Sequence, residues 1–183
     1  MANIDSPRGA RPVKRLDGGS AVVTNKYVVD SSNGTAIFIG DFIKLENDGN
    51  VAPAAAGGNI LGVCMGVLDD YDNLTRRYLP ASTAGNIMVC DDPWMVFEIQ
   101  EDSDGGDLAH TNIGNNCDLI AGSGSTTTGI SAHEIDASDA KTGIAQLRLL
   151  RISPRDDNAI GTNADWHVVI NEHAFNDVGM EGI

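Results

Sequence analysis

Glycine-rich loops, acidic runs, histidines and thiols are the places where this chain has the residue types for chemistry. The octapeptide Gly122-Ser123-Gly124-Ser125-Thr126-Thr127-Thr128-Gly129 suggests a phosphate cradle, because backbone N–H groups freed of side chains can converge on an anion. No lysine follows before Lys141, so the G-x-x-x-x-G-K-[ST] pattern fails and a loop or wide hairpin is expected. Glu101, Asp102, Asp104 and Asp107 carry enough oxygens for calcium. However, a calcium-binding loop starting at Asp102 would need glycine where Asp107 stands and glutamate where Ile113 stands, so a solvated hairpin tip is expected. His167 and His173 fit neither helical nor strand ligand spacing, and with His110 and His133 they are expected at the surface or an interface. No G-x-S-x-G turn presents a serine nucleophile. Asp69-Asp70 and Asp91-Asp92 are adjacent pairs whose side chains would diverge on a strand. Cys64, Cys90 and Cys117 form no C-x-x-C pair and are expected as buried free thiols. Catalytic residues, a cofactor and a metal are therefore not expected.

What the elements must position is set by size and charge. A chain of 183 residues suits one domain with a full hydrophobic core. Against 12 Lys and Arg stand 26 Asp and Glu, a net charge of −14. The charge is uneven: up to Lys26 five cations (Arg8, Arg11, Lys14, Arg15, Lys26) face two acids (Asp5, Asp17), and the remaining seven cations face 24 acids. The first 26 residues are thus +3 and the rest −17, a body that repels a polyanion, so no direct nucleic-acid partner is expected. No apolar run approaches the length of a membrane span, and no apolar stretch follows the first basic residues, which points to a protein made and used in a reducing cytoplasm.

Pro7, Gly9, Pro12, Gly18 and Gly19 deny the N-terminal segment a helix, so residues 1–26 read as an extended basic arm. Fully extended, its first 19 residues reach about 60 Å. Pro7, Arg8, Arg11, Pro12, Lys14 and Arg15 are the candidate partner-binding residues. The arm would become ordered on another subunit, donating backbone hydrogen bonds to a sheet edge while its cations meet acids there. Deleting residues 1–19 would then leave the domain folded.

Beyond the arm, short apolar runs alternate with Gly, Asn, Asp and Pro at intervals of roughly ten residues, the pattern of an all-β protein. Strands are expected over residues 20–29, 36–45, 60–68, 86–90, 94–100, 117–121, 130–135, 145–152 and 166–171. They would make a single β-barrel or β-sandwich domain over residues 27–173, followed by a C-terminal tail at 174–183. In the last strand, Trp166, Val168 and Ile170 share a core face, and His167, Val169 and Asn171 share a partly wet one. Asn33-Gly34 and Asn47-Asp48-Gly49 suit tight hairpin turns. Helix is limited to about one turn near 107–113 and 138–142, capped by Asp107 and Ser138.

Several short segments together resemble a virion protein of tailed bacteriophages. They are Ser6-Pro7-Arg8-Gly9-Ala10-Arg11-Pro12-Val13, Asn25-Lys26-Tyr27, Gly40-Asp41, Ile60-Leu61-Gly62-Val63, Arg77-Tyr78-Leu79-Pro80-Ala81, Asp91-Asp92-Pro93, Phe97-Glu98-Ile99-Gln100-Glu101, the glycine-rich octapeptide, Asp157-Asn158 and residues 166–173. The chain is similar to capsid decoration (cement) proteins. That resemblance implies a non-enzymatic, mostly β homotrimer on the capsid exterior, assembled in the host cytoplasm. Its partners would be the major capsid protein and itself, and it would tie neighbouring capsomers together. A head-fibre or tail attachment protein is an alternative, although no repetitive or coiled-coil segment is present. A carbohydrate-binding virion module displaying Trp94, Tyr71 and Tyr78 is another.

Overall fold

A computed structural model describes residues 3–68, 76–102 and 104–176. The protein is all-β, and its antiparallel sheets pack into a sandwich-like fold. The first sheet runs in the order β1 (Arg11–Arg15), β7 (Met95–Gln100), β12 (Asp165–Ile170), β11 (Leu147–Ile152), β8 (Asn116–Cys117). The second runs β2 (Asn25–Val29), β6 (Gly85–Cys90), β5 (Gly62–Leu68), β3 (Phe42–Leu45), β4 (Val51–Pro53). The remaining pair, β9 (Leu119–Gly122) and β10 (Ala132–Ile135), is a hairpin closed by the glycine-rich loop.

Alternation along the strands explains how three sheets make one body. Phe42, Val63 and Cys90 belong to the core shared with the first sheet, where they join Phe97, Leu147 and Trp166. Their neighbours Ile43, Cys64 and Val89 point the other way, into a second core with Val29, Ile37, Val51, Leu61 and Ile87. The second sheet is therefore apolar on both faces, and it curls so that its outer strands β2 and β4 approach each other.

Most expected strands are present, with shifted ends. Residues 20–24 stay outside β2, and the 36–45 run breaks at Gly40, which has φ +97°. The 117–121 run splits into β8 and β9. Asp48-Gly49 makes the expected turn between β3 and β4, with Gly49 at φ +86° and Glu46 bonded to Asn50. Asn33-Gly34 does not join a hairpin: it lies in the turns after β2, and Gly34 is not at positive φ. The helical segments are single 3₁₀ turns, His110–Asn112 and Ala137–Asp139. Their caps differ from expectation, because the second turn is capped by Asp136, whose carboxylate accepts the Ser138 amide, and Ala109 precedes the first.

Two larger corrections concern burial. On β12, Trp166, Val168 and Ile170 do face the core, but His167 (3% exposed), Val169 and Asn171 are buried as well. β12 is the central strand of its sheet, and the outer face expected to be wet is covered by long side chains, among them Arg151, whose Nε donates to His167 Nδ1 at 3.2 Å. Ala174, the first residue of the expected C-terminal tail, is tied to Ile60 by its amide and packs on the second core; residues 177–183 lie outside the described ones.

The other correction is the arm. The first 26 residues do not wait for a neighbour: β1 pairs antiparallel with β7 of the same chain, and Asn25 and Lys26 begin β2. Arg11 stands opposite Glu98 and Arg15 opposite Met95, with a bulge between Pro12 and Lys14. The physical expectation of an extended strand adding to a sheet edge was sound. The recipient is the chain's own β7 edge.

Candidate functional site

The expected partner-binding residues converge on a charged cluster at the outer face of the first sheet. Glu98 sits between Phe97 and Ile99 on β7; those two enter the core, so Glu98 must face outward, flanked by Arg11 on β1 and His167 on β12. Glu98 Oε1 receives Arg8 at 3.3 Å, Arg11 at 3.2 Å and Arg155 at 3.0 Å. Its Oε2 accepts the Ser153 hydroxyl. Asp165, whose side chain is 3% exposed, accepts Arg8 and Arg155 on the same Oδ2, each at 2.7 Å. Burial pushes the Glu98 carboxyl up, but the Ser153 hydroxyl with Arg155 and Arg8 outweighs it and holds Glu98 below the ordinary carboxylate range.

Ahead of Arg8 the chain is anchored by amides. Gln100 holds it from both ends of its side chain, Nε2 donating to Ile4 O at 3.0 Å and Oε1 accepting from Ser6 N at 2.9 Å. Asn3 exchanges hydrogen bonds with Ala159 and donates to Thr162 O. Asn158 closes the far side, donating to Ser153 O and Asp165 O and accepting from Asp165 N. Gly9 lies at φ +67°, with no room for a Cβ between Gly40 O and Ser131, and Ala10 is buried beside it. Of the six expected residues, Arg8 and Arg11 enter the cluster, Arg15 pairs with Asp92 at 3.1 Å, Pro12 stands opposite Phe97 and Lys14 opposite Val96. Pro7 is half-buried in the same stretch and makes no ladder contact of its own. Chemically, the cluster is a clamp that fixes the N-terminal strand on the sheet.

A second constellation was not anticipated. Asp41 (2% exposed), His133 and Ser131 meet where the second sheet touches the β9–β10 hairpin. Asp41 Oδ2 accepts the Phe38 amide at 2.7 Å, and the Ser131 hydroxyl also bonds to the carboxylate. His133 Nδ1 accepts the Phe42 amide at 3.2 Å, so the ring proton sits on Nε2, which stands 3.5 Å from Asp41 Oδ1. Burial raises Asp41 to about 6 and lowers His133 to about 4, leaving an anion beside a neutral imidazole at neutral pH. His133 meets Ser131 through its backbone amide, which donates to Ser131 Oγ at 2.9 Å, while its ring nitrogens face the Phe42 amide and Asp41, so this is not a nucleophilic relay. The signal in the sequence was weak: Asp41 shares the apolar run 36–45 with Lys44, and His133 shares 130–135 with Ser131 and Glu134.

The remaining candidates divide. Glu101, expected in a solvated tip, is fully buried: its Oε2 accepts Leu108 N at 3.0 Å and Trp166 Nε1 at 3.1 Å, and burial raises it to about 7. Asp104 and Asp107 are exposed as expected. Among the described residues no group of three His, Cys, Asp or Glu could hold a metal ion. His133, His167 and His173 are buried, and only His110 of the four histidines is exposed. All three cysteines are buried free thiols. Trp94 is 54% exposed, Tyr78 stacks on Phe38 with ring centroids 5.1 Å apart, and Tyr71 lies outside the described residues. No helix among the described residues is long and apolar enough to cross a membrane. In comparisons with known proteins, no family model and no curated protein matches this chain.

Proposed function

We propose that this protein is a non-enzymatic structural virion protein that binds the outer surface of a phage head as a homotrimer and cements neighbouring capsomers of the major capsid protein. The observation that carries the reading is spatial. Segments of the phage-like resemblance that are far apart in the chain come together: Arg8 and Arg11 from the first meet Glu98 from another, and Ser6 meets Gln100.

The arm-as-clamp mechanism changes with this geometry. Arg8 and Arg11 already neutralise Glu98 and Asp165 of their own chain, so adhesion falls to the body surface, where several modest contacts per trimer add through effective concentration. The test is to add purified protein to heads lacking it and image the particles. Symmetric density on the shell exterior supports the reading. Density on the tail alone, or none at saturating protein, overturns it.

A further inference from the structure

The glycine-rich loop, discounted above as a phosphate site, walls a cavity of about 440 Å³ whose floor is the Asp41–His133 pair. Gly124 permits this closure: a Cβ there would stand 2.4 Å from the Phe38 ring, so only glycine lets the loop lie against it. The walls are short and apolar, formed by Ala36, Pro53, Ala54, Ala55 and Ala121, while Thr35, Ser123 and Thr126 contribute hydroxyls. Among the described lining residues Asp41 is the one group ionised at neutral pH, and none is lysine or arginine.

Asp41 Oδ1 is buried with no hydrogen-bond partner, and His133 Nε2 stands 3.5 Å from it, beyond a well-formed bond. A buried carboxylate with an unpartnered oxygen and no cation beside it is costly unless a positive charge joins it. An anion is repelled here twice, by Asp41 and by a chain at −14, and the same field concentrates cations at the mouth.

We propose that this cavity binds an organic cation, a primary ammonium on a short alkyl stem, with the stem against the alanine and proline wall and the charge over Asp41. A lysine side chain of a partner protein and a free aliphatic diamine share that chemistry. The site is independent of the head-surface reading, because the test uses the isolated protein.

Calorimetry and amide chemical shifts are followed while titrating butylammonium, Nα-acetyl-lysine methylamide and 1,4-diaminobutane, with 1-butanol and methyl glucoside as neutral comparators. The expected result is saturable ammonium binding that shifts residues 121–126 and 35–41 and weakens at least tenfold in Asp41→Asn. Ala121→Leu fills the cavity without touching the carboxylate, and it should abolish binding in a folded protein even where Asp41→Asn folds poorly. Preference for the blocked lysine assigns a protein partner, preference for the diamine a free ligand, and either supports the site. Absence of saturable binding, equal affinity in a folded Ala121→Leu variant, or equal binding of a neutral comparator overturns it.

Discussion

Arg8 Nη2 lies 2.7 Å from Asp165 Oδ2, joining two residues 157 positions apart across the outer face of the first sheet. Arg8→Ala removes this contact and the one to Glu98 while leaving Arg155 on both acids. The expected loss is about 1.5–3 kcal/mol, the range for a hydrogen bond to a charged group. Amide exchange in residues 11–15 should accelerate more than in β12. Unchanged protection of β1 would mean that the arginine clamp does not hold the arm.

Gly9→Ala tests the docking of the arm without altering any charge. The new Cβ meets Gly40 O at 2.4 Å and Ser131 Cβ at 2.5 Å from a backbone at φ +67°. Left-handed backbone and overpacking together should cost about 2–5 kcal/mol. The urea midpoint should fall, and proteolysis between β1 and β2 should appear under native conditions. A variant as stable as the parent would show that the close approach of Gly9 to Gly40 is not maintained in solution.

Stability should rise as the pH falls from about 7 toward 6. Burial raises Glu101, and raises Glu134 beside Asp5, Asp102 and Asp104, each from 4.5 to about 7, and it raises Asp41 to about 6. A carboxyl raised on folding binds protons more tightly in the folded state. Its contribution is complete below the unfolded value near 4.5 and is lost as the pH climbs to about 7, at up to about 1.4 kcal/mol per pH unit for each group. The buried histidines act in the opposite sense: burial lowers His133 to about 4 and lowers His167 and His173 from 6.5, so their contribution is lost as the pH falls below about 6.5, while Glu98 and Asp139, held below the ordinary range, weaken the fold only at stronger acidity. Thermal melts across pH 4–8 should therefore peak in mild acid, and Glu101→Gln should flatten the alkaline side. A midpoint that climbs steadily from pH 5 to 8 would contradict the burial of these acids.

The thiols should be silent in the native protein. Burial pushes Cys64 and Cys117 up to about 12 and Cys90 to about 11, so almost no thiolate exists at pH 8. A thiol-disulfide reagent should titrate all three cysteines in denaturant and none rapidly without it. Fast reaction of even one in the native state would place that residue at the surface.

Strand positions were legible because alternation is local: Trp166, Val168 and Ile170 announce a core face within six residues. β1 and β4 were not seen. RPVKR has little apolar content and contains a proline, and VAP is three residues long, so neither carries a period. The charge of the arm was legible and its destination was not, because nothing near Arg8 in sequence names Glu98 or Asp165 as its partner. A clue was nonetheless present in MVFEIQ, where a lone glutamate between apolar residues on a central strand requires a cation from elsewhere. Asp41 and His133 were missed for the same reason: each is one polar residue among others in a short run until folding brings the two together.

The clamp also dictates an order of events as the chain is made. The arm is synthesised before its partners, for Glu98 follows Arg8 by 90 residues and Asp165 by 157, and β1 has no ladder until β7 exists. A segment that leaves the ribosome ahead of its partners is therefore placed only after them, and its docking marks completion of the first sheet.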